Sequence, residues 1–375
     1  MTGARWLLGL LVLPGALAAQ GATTVARTGV TFETYAFGSG LAFNRISELT
    51  IPISVTQRIG GGRLVLDLGT AFARASVSEA PGGAGGGGAS ITHSGLVDTD
   101  LRASYSLIPG KLLFNLVGTI PTGAKTVADT TVPLFGATGT HLLGFTTPSF
   151  GSGGAVSAGF ASAVKMGQNW AVGTGASYRY AARYVPVQGG DEMSPGGEIR
   201  ARFGIEGPFG SGKYFRSALV YTTTATNDLG ASGQSTIGDR VLGYAAVSMP
   251  FGNSHLSVYG WDMRRLRARN SATAGTMAVP RGNVLAVGAR VDRPTGPRAT
   301  LSPLLEFRHE LTGPGQRMEL LGYLLRAGTD LRYRLSDRAA AVLQAQLAFG
   351  TLHDAGTSVS ILGPRIGLTL EWARP

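Results

Sequence analysis

Five histidines and no cysteine are all this chain has for metal binding or covalent catalysis. His93, His141 and His353 each stand without a second histidine or acid pair at ligand spacing, so they read as solvated residues of outer loops. Asp98-Thr99-Asp100 supplies two carboxylates, the material of acid–base hydrolysis, but the chain contains no Asp-x-His couple to go with them. His309 falls on a lipid-facing parity, where a hydrolase of membrane lipids would place its base, and no serine is singled out as its nucleophile. Gly207-Pro208-Phe209-Gly210-Ser211-Gly212-Lys213 follows phosphate-loop spacing as far as its lysine. Tyr214 then replaces the required Ser or Thr, and a strand follows where a helix would be needed, so this is a glycine-rich hairpin turn. The run Gly85–Gly88 is likewise an outer loop. No enzyme, metal site or cofactor is expected.

The charged residues are better placed to line a passage. Asp98, Asp100, Arg102, Lys165, Arg179, Glu198, Arg200, Arg202, Glu306, Arg308, Glu310, Asp330, Arg332, Arg334 and Arg365 share one parity within their segments. A charge facing lipid costs about 2–4 kcal/mol at mid-membrane, so this parity belongs to a lumen. Such residues either pair across strands and fill the lumen or set up a selective field, and the spacing leaves both readings open.

The elements that position them are segments of about ten residues with alternating polarity. In one, Val97, Thr99, Leu101, Ala103, Tyr105 and Leu107 alternate with Asp98, Asp100, Arg102, Ser104 and Ser106. Side chains at period two point to opposite faces, so one face suits lipid and the other water. The pattern returns at 198–206, 301–311, 327–335 and 365–372. Short links at 60–62, 108–110, 167–169, 208–212, 250–254, 292–298 and 336–337 alternate with long ones at 78–95, 121–154, 186–196, 226–236, 269–282, 312–316 and 352–357. The first set is expected at the periplasm and the second outside. Counting from Gly29–Phe37 and Leu49–Ile59 to Gly363–Trp372 gives an all-β fold, a single antiparallel transmembrane β-barrel of about 16 strands with periplasmic termini. About 14 strands with the first segment as an N-terminal plug is the alternative. Tyr105, Trp170, Phe215, Tyr333 and Trp372 fall at short-turn ends on the lipid parity, as an interfacial girdle requires.

Targeting and composition agree. Arg5, the apolar run Trp6–Leu13, a Pro14-Gly15 break and Ala16-Leu17-Ala18-Ala19 give a signal peptide at 1–19, leaving 20–375 as the barrel in the outer membrane. Later segments lack the roughly 18–20 consecutive apolar residues of a spanning helix. With 57 glycines, 15% charged and 43% hydrophobic residues, the composition suits neither a disordered chain nor a disulfide-stapled domain. The net charge of +11 raises the question of nucleic acid, but its arginines are spread along a secreted chain. The expected partners are outer-membrane lipid and lipopolysaccharide, the barrel-assembly machinery that reads a C-terminal strand such as Ile366–Trp372, and a small-molecule solute, with no nucleic acid.

The segment 121–154 is the longest link and is apolar, with Leu134, Phe135, Leu142, Leu143, Phe145 and Phe150. So greasy a loop is expected to fold inward or over the mouth. There it would narrow the pore, offer a hydrophobic patch made of Phe135, Leu142, Leu143, Phe145 and Phe150, or pack on neighbouring loops and lipopolysaccharide.

Glu48-Leu49-Thr50-Ile51-Pro52-Ile53, Asp98–Tyr105, Gly118-Thr119-Ile120-Pro121-Thr122-Gly123 and Phe150–Gly154 together resemble the outer-membrane transporters related to the long-chain fatty acid and phenol-degradation barrels, chiefly over residues 45–185. The resemblance implies passive uptake of hydrophobic or aromatic small molecules. The expected function is thus a passive outer-membrane channel for such solutes. A general diffusion porin, a structural or adhesive surface barrel without conductance, and an outer-membrane hydrolase are the alternatives.

Overall fold

Alternation makes every strand two-faced, and the computed structural model shows how the chain uses both faces; it describes residues 23–80, 90–147, 149–268, 276–278, 280–313, 318–354 and 356–374. The expected signal peptide and the Gly85–Gly88 run lie outside these residues. The staves are β1 (Thr24–Phe37), β2 (Phe43–Ile59), β3 (Leu64–Glu79), β4 (Ser90–Leu96 and Thr99–Ile108, one stave in two segments), β5 (Leu112–Ile120), β6 (Ala155–Met166), β7 (Trp170–Ala181) and β8 (Glu198–Pro208). They continue as β9 (Tyr214–Thr224), β10 (Arg240–Phe251), β11 (Ser254–Arg265), β12 (Arg281–Pro294), β13 (Ala299–Gly313), β14 (Glu319–Arg334), β15 (Ala339–Asp354) and β16 (Thr357–Arg374). Each pairs antiparallel with its neighbours in sequence, and β1 pairs with β16 in register from Thr24↔Arg374 to Phe37↔Ile361, closing a 16-stranded barrel.

Closure is what lipid demands of a sheet, since an open edge there would leave backbone groups without water or partner. Among the described residues no helix is long and apolar enough to cross a membrane, so the crossing is made by strands. The outward positions are apolar and exposed: Val30 and Phe32 on β1, Ile51 and Ile53 on β2, Leu368 and Leu370 on β16. An apolar belt this continuous, around a wall whose inner face carries charge, is the surface of an outer-membrane β-barrel. The aromatic girdle is present as expected. Tyr105, Tyr333 and Trp372 are exposed on the outer face, and Trp170 and Phe215 meet with ring centroids 6.2 Å apart. They meet over Gly207, where a Cβ would stand 2.5 Å from the indole.

Two expectations need correction. The first segment is not a plug but a wall stave, because its inward residues find partners on β2 and β16. Several strands also run further than alternation marked. β1 starts at Thr24, β2 at Phe43, and the upper segment of β4 pairs with β3 from Phe72↔Leu96 to Ser78↔Ser90, inside the stretch expected as loop 78–95. The extensions of β2 and β4 project at the long-loop end, where the outer face no longer meets lipid and polarity stops alternating, and that of β1 lies at the short-turn end beside Gln57 and Arg374.

What occupies the interior is residues 121–154. They leave β5, turn inward and include the short helix α1 (Val132–Thr138) before rejoining the wall at β6. Inward positions on β3 are Ala71, Ala73 and Ala75, so the wall is thin where Leu134 and Phe150 press against it. We expect Leu368→Arg, at mid-belt between Val30 and Leu343, to cost about 2–4 kcal/mol. Gln344→Arg, inward beside Asp330, should cost far less. Urea titration of the barrel refolded in vesicles checks both.

Candidate functional site

The site is built around the inward loop. Its root is Asp98, at the break between the two segments of β4. The carboxylate accepts hydrogen bonds from the Gly123 amide at 3.1 Å and the Ser152 hydroxyl at 2.6 Å, tying the outgoing and returning limbs of the loop to one residue. Its tip is held by neighbouring staves across the β1–β16 seam. Glu33 and Glu48, directly opposite each other on β1 and β2 and each 1% exposed, accept the amides of Thr146 at 3.1 Å and Thr147 at 2.7 Å. Like charges facing across a strand pair repel, and here the loop amides together with Arg365, 3.5 Å from Glu33, offset that repulsion.

Cations bind the loop's carbonyls in turn. Arg308 of β13 donates to the His141 and Leu142 carbonyls at 2.9 and 3.3 Å. Arg326 of β14 donates to the Leu143 carbonyl at 3.1 Å and to the Tyr35 hydroxyl at 2.7 Å, and that hydroxyl donates to the same carbonyl. Gly144 has a φ of 67°, and a Cβ there would stand 2.1 Å from the Arg308 guanidinium, so the residue answers both a left-handed turn and a close approach. Between these polar ties the loop buries its apolar side chains against Tyr35, Phe37, Ile46, Val359 and Ile361. Each fully buried leucine or phenylalanine contributes about 1.5–3 kcal/mol.

The expected hydrophobic mouth patch therefore does not exist as an exposed surface. Leu142 is 0% and Phe150 1% exposed, Leu143 and Phe145 are buried, and Phe135 is half-buried against His93 and Phe150. The cause is the wall, which offers these side chains an apolar bed out of water. The loop histidines are corrected with them. His93 lies in β4 with its ring 4.7 Å from Phe150, and His353 lies in β15, hydrogen-bonded to Ser358 at 2.8 Å. His141, in the inward loop, is kept neutral with its pKa lowered to about 4, first by burial and then by the charges of Arg265, Arg308 and Arg240.

The charged lining divides into two walls. Around β12–β16 and β1 most charges are paired: Arg308 with Glu306 at 2.8 Å, Arg290 with Asp330 and Asp292 at 2.8 Å, and Arg332 and Arg27 with Glu371 at 2.6 and 3.2 Å. Arg334 is exposed at the short-turn end. Around β4–β11 the balance differs. Asp100 accepts from Thr119, Arg102 and Arg179 stand near that carboxylate, and Glu198 is shared between Arg200 at 2.6 Å and Arg240. Arg202 and Arg265 form no ion pair with a described residue, and Lys165 is exposed near a short turn.

Between this second wall and the loop lies a cavity of about 730 Å³. It reaches from Tyr184 and Met193 at the long-loop end to Ala171, Glu206 and Arg216 near the short turns, and Trp261, Met263, Leu242 and Tyr244 lie on its wall. Reasoning from sequence missed Glu33, Tyr35, Glu48, Arg240, Arg265 and Arg326. The available signal was the pair of acids that hairpin register sets opposite each other on β1 and β2.

No family model matches the chain, and no curated protein matches it in sequence. Solved structures do resemble it in outline. A bacterial polysaccharide outer membrane secretin aligns over 94% of this chain and 99% of its own at TM-score 0.48 and 8% identity. An anion-selective porin from Comamonas acidovorans aligns over 94% and 99% at TM-score 0.44 and 14% identity, and OpdQ of Pseudomonas aeruginosa over 94% and 99% at 0.44 and 11%. Likeness at this level carries no function across.

Glu48→Ala removes the acceptor of the Thr147 amide and should loosen the loop by roughly 1.5–3 kcal/mol. Faster amide exchange confined to residues 139–147, with the strands unchanged, is the expected outcome by hydrogen-exchange mass spectrometry.

Proposed function

We propose that this barrel is a passive channel for small solutes across the outer membrane, narrowed from within by residues 121–154. One observation carries the reading: beside the docked loop a cavity runs from long-loop residues to short-turn residues inside a closed wall. The loop stands across the lumen because both its ends and its tip are tied, so the passage is confined to the side of β7–β11. The solutes are small, with an apolar or aromatic part, and Leu242, Met263, Tyr244 and Trp261 on the cavity wall support that finer reading. The role is one of passage, without catalysis. Lipopolysaccharide around the long-loop end and the assembly machinery at β16 are proposed as partners on the strength of the exposed belt and the alternating terminal strand.

The paired charges around β12–β16 favour a second reading, a structural barrel whose lumen is filled. Planar-bilayer recording separates the two. The full chain should give steady ohmic steps, and replacing residues 134–147 by a short Gly-Ser linker should raise the conductance several-fold. Silence from both proteins, with folding verified, would discard the channel.

A further inference from the structure

Resting on the channel reading, we propose that the inward faces of β10 and β11 form a binding site for small organic carboxylates that carry a short apolar or aromatic body. Three successive inward rows make the site: Arg240 opposite Arg265 at the long-loop end, then Leu242 opposite Met263, then Tyr244 opposite Trp261. All six line the cavity.

The head of the ligand is set by an imbalance of charge. Two arginines directly opposite each other across a strand pair repel. Two carboxylates answer this pair: Glu198, already divided between Arg240 and Arg200, and Glu310 near Arg265, which also stands near Arg308 and accepts the Leu142 amide. Arg265 donates to the neutral Pro280 carbonyl at 3.2 Å and forms no ion pair with a described residue. Arg179 lines the same cavity and forms no ion pair with a described residue. The facing loop brings no remedy, because residues 139–145 are Gly-Thr-His-Leu-Leu-Gly-Phe and His141 is neutral. An anion with two coplanar oxygens suits the guanidinium fork.

The body of the ligand is set by the rows beneath. Inward rows on a strand repeat every two residues, roughly 7 Å. A ring bonded to a carboxylate held at the arginines therefore lies beside Leu242 and Met263, with its far edge at Tyr244 and Trp261. Inorganic phosphate would give up hydration against these rows and gain nothing from them. A carboxylate with an apolar body uses both ends.

The test uses the full chain, refolded and checked by heat-modifiable migration, with benzoate as probe and benzyl alcohol as its neutral counterpart. Calorimetric titration in micelles should show benzoate binding and benzyl alcohol not. Arg265→Gln should weaken benzoate about tenfold, the loss of one hydrogen bond to a charged group, and Arg265→Lys should recover part of it. Met263→Glu, which sets a carboxylate beneath the arginines, should abolish binding and serves as a second variant. In bilayers the wild type should show an anion-selective reversal potential under a salt gradient. Equal binding of the two probes, or benzoate affinity untouched by Arg265→Gln and Met263→Glu alike, overturns the site and leaves the channel standing. Benzoate binding without any current overturns the channel and leaves the site standing.

Discussion

A sheet in lipid has no solvent to satisfy its edge, and the pairing of β1 with β16 is the interaction on which everything else here rests. Only a closed wall has an inside, and only an inside gives charged residues a place out of lipid. The same closure brings Glu33 and Tyr35 on β1 within reach of Arg365 on β16 and Arg326 on β14, residues hundreds of positions away in the chain. These groups form the socket that receives the tip of the inward loop. Fold and site are thus one piece of construction, with the socket straddling the seam.

The two walls of the lumen do different work because their charges are differently compensated. Where Arg290, Arg308 and Arg332 each have a carboxylate within 3 Å, the side chains brace the wall and the loop leaning on it. Where Arg240 and Arg265 face each other, Glu198 is shared with Arg200 and Glu310 stands near Arg308 as well, so the arginines are answered only in part. The loop decides which wall is which. By burying its leucines and phenylalanines on one side it seals that side and leaves the other open.

Much of this was legible in the sequence. Period-two alternation at Val97–Leu107, the short glycine turns and the girdle aromatics reported the staves, their ends and the inward face of Arg200, Arg308 and Asp330, because lipid imposes those patterns residue by residue. That the long greasy link would fold inward or over the mouth, of which the structure shows the first, also followed from its composition. Its anchors did not. Thr146 binds Glu33 across 113 positions, and Arg326 binds the Leu143 carbonyl across 183, through main-chain groups that every residue carries. Nothing in local polarity marks such a contact. For the same reason the aromatic loop residues read as a docking patch until the alanines of β3 and the rings of Tyr35 and Phe37 were seen to form their bed.

The position of the socket also orders events in time. Its groups come from the first two staves and from β13, β14 and β16, so it is complete only after the last strand has zipped to the first. Until then Leu142, Phe145 and Phe150 lack the part of their bed that Leu324, Val359 and Ile361 supply. Full burial of this loop therefore requires the closed seam, and a barrel without it leaves part of an apolar segment uncovered.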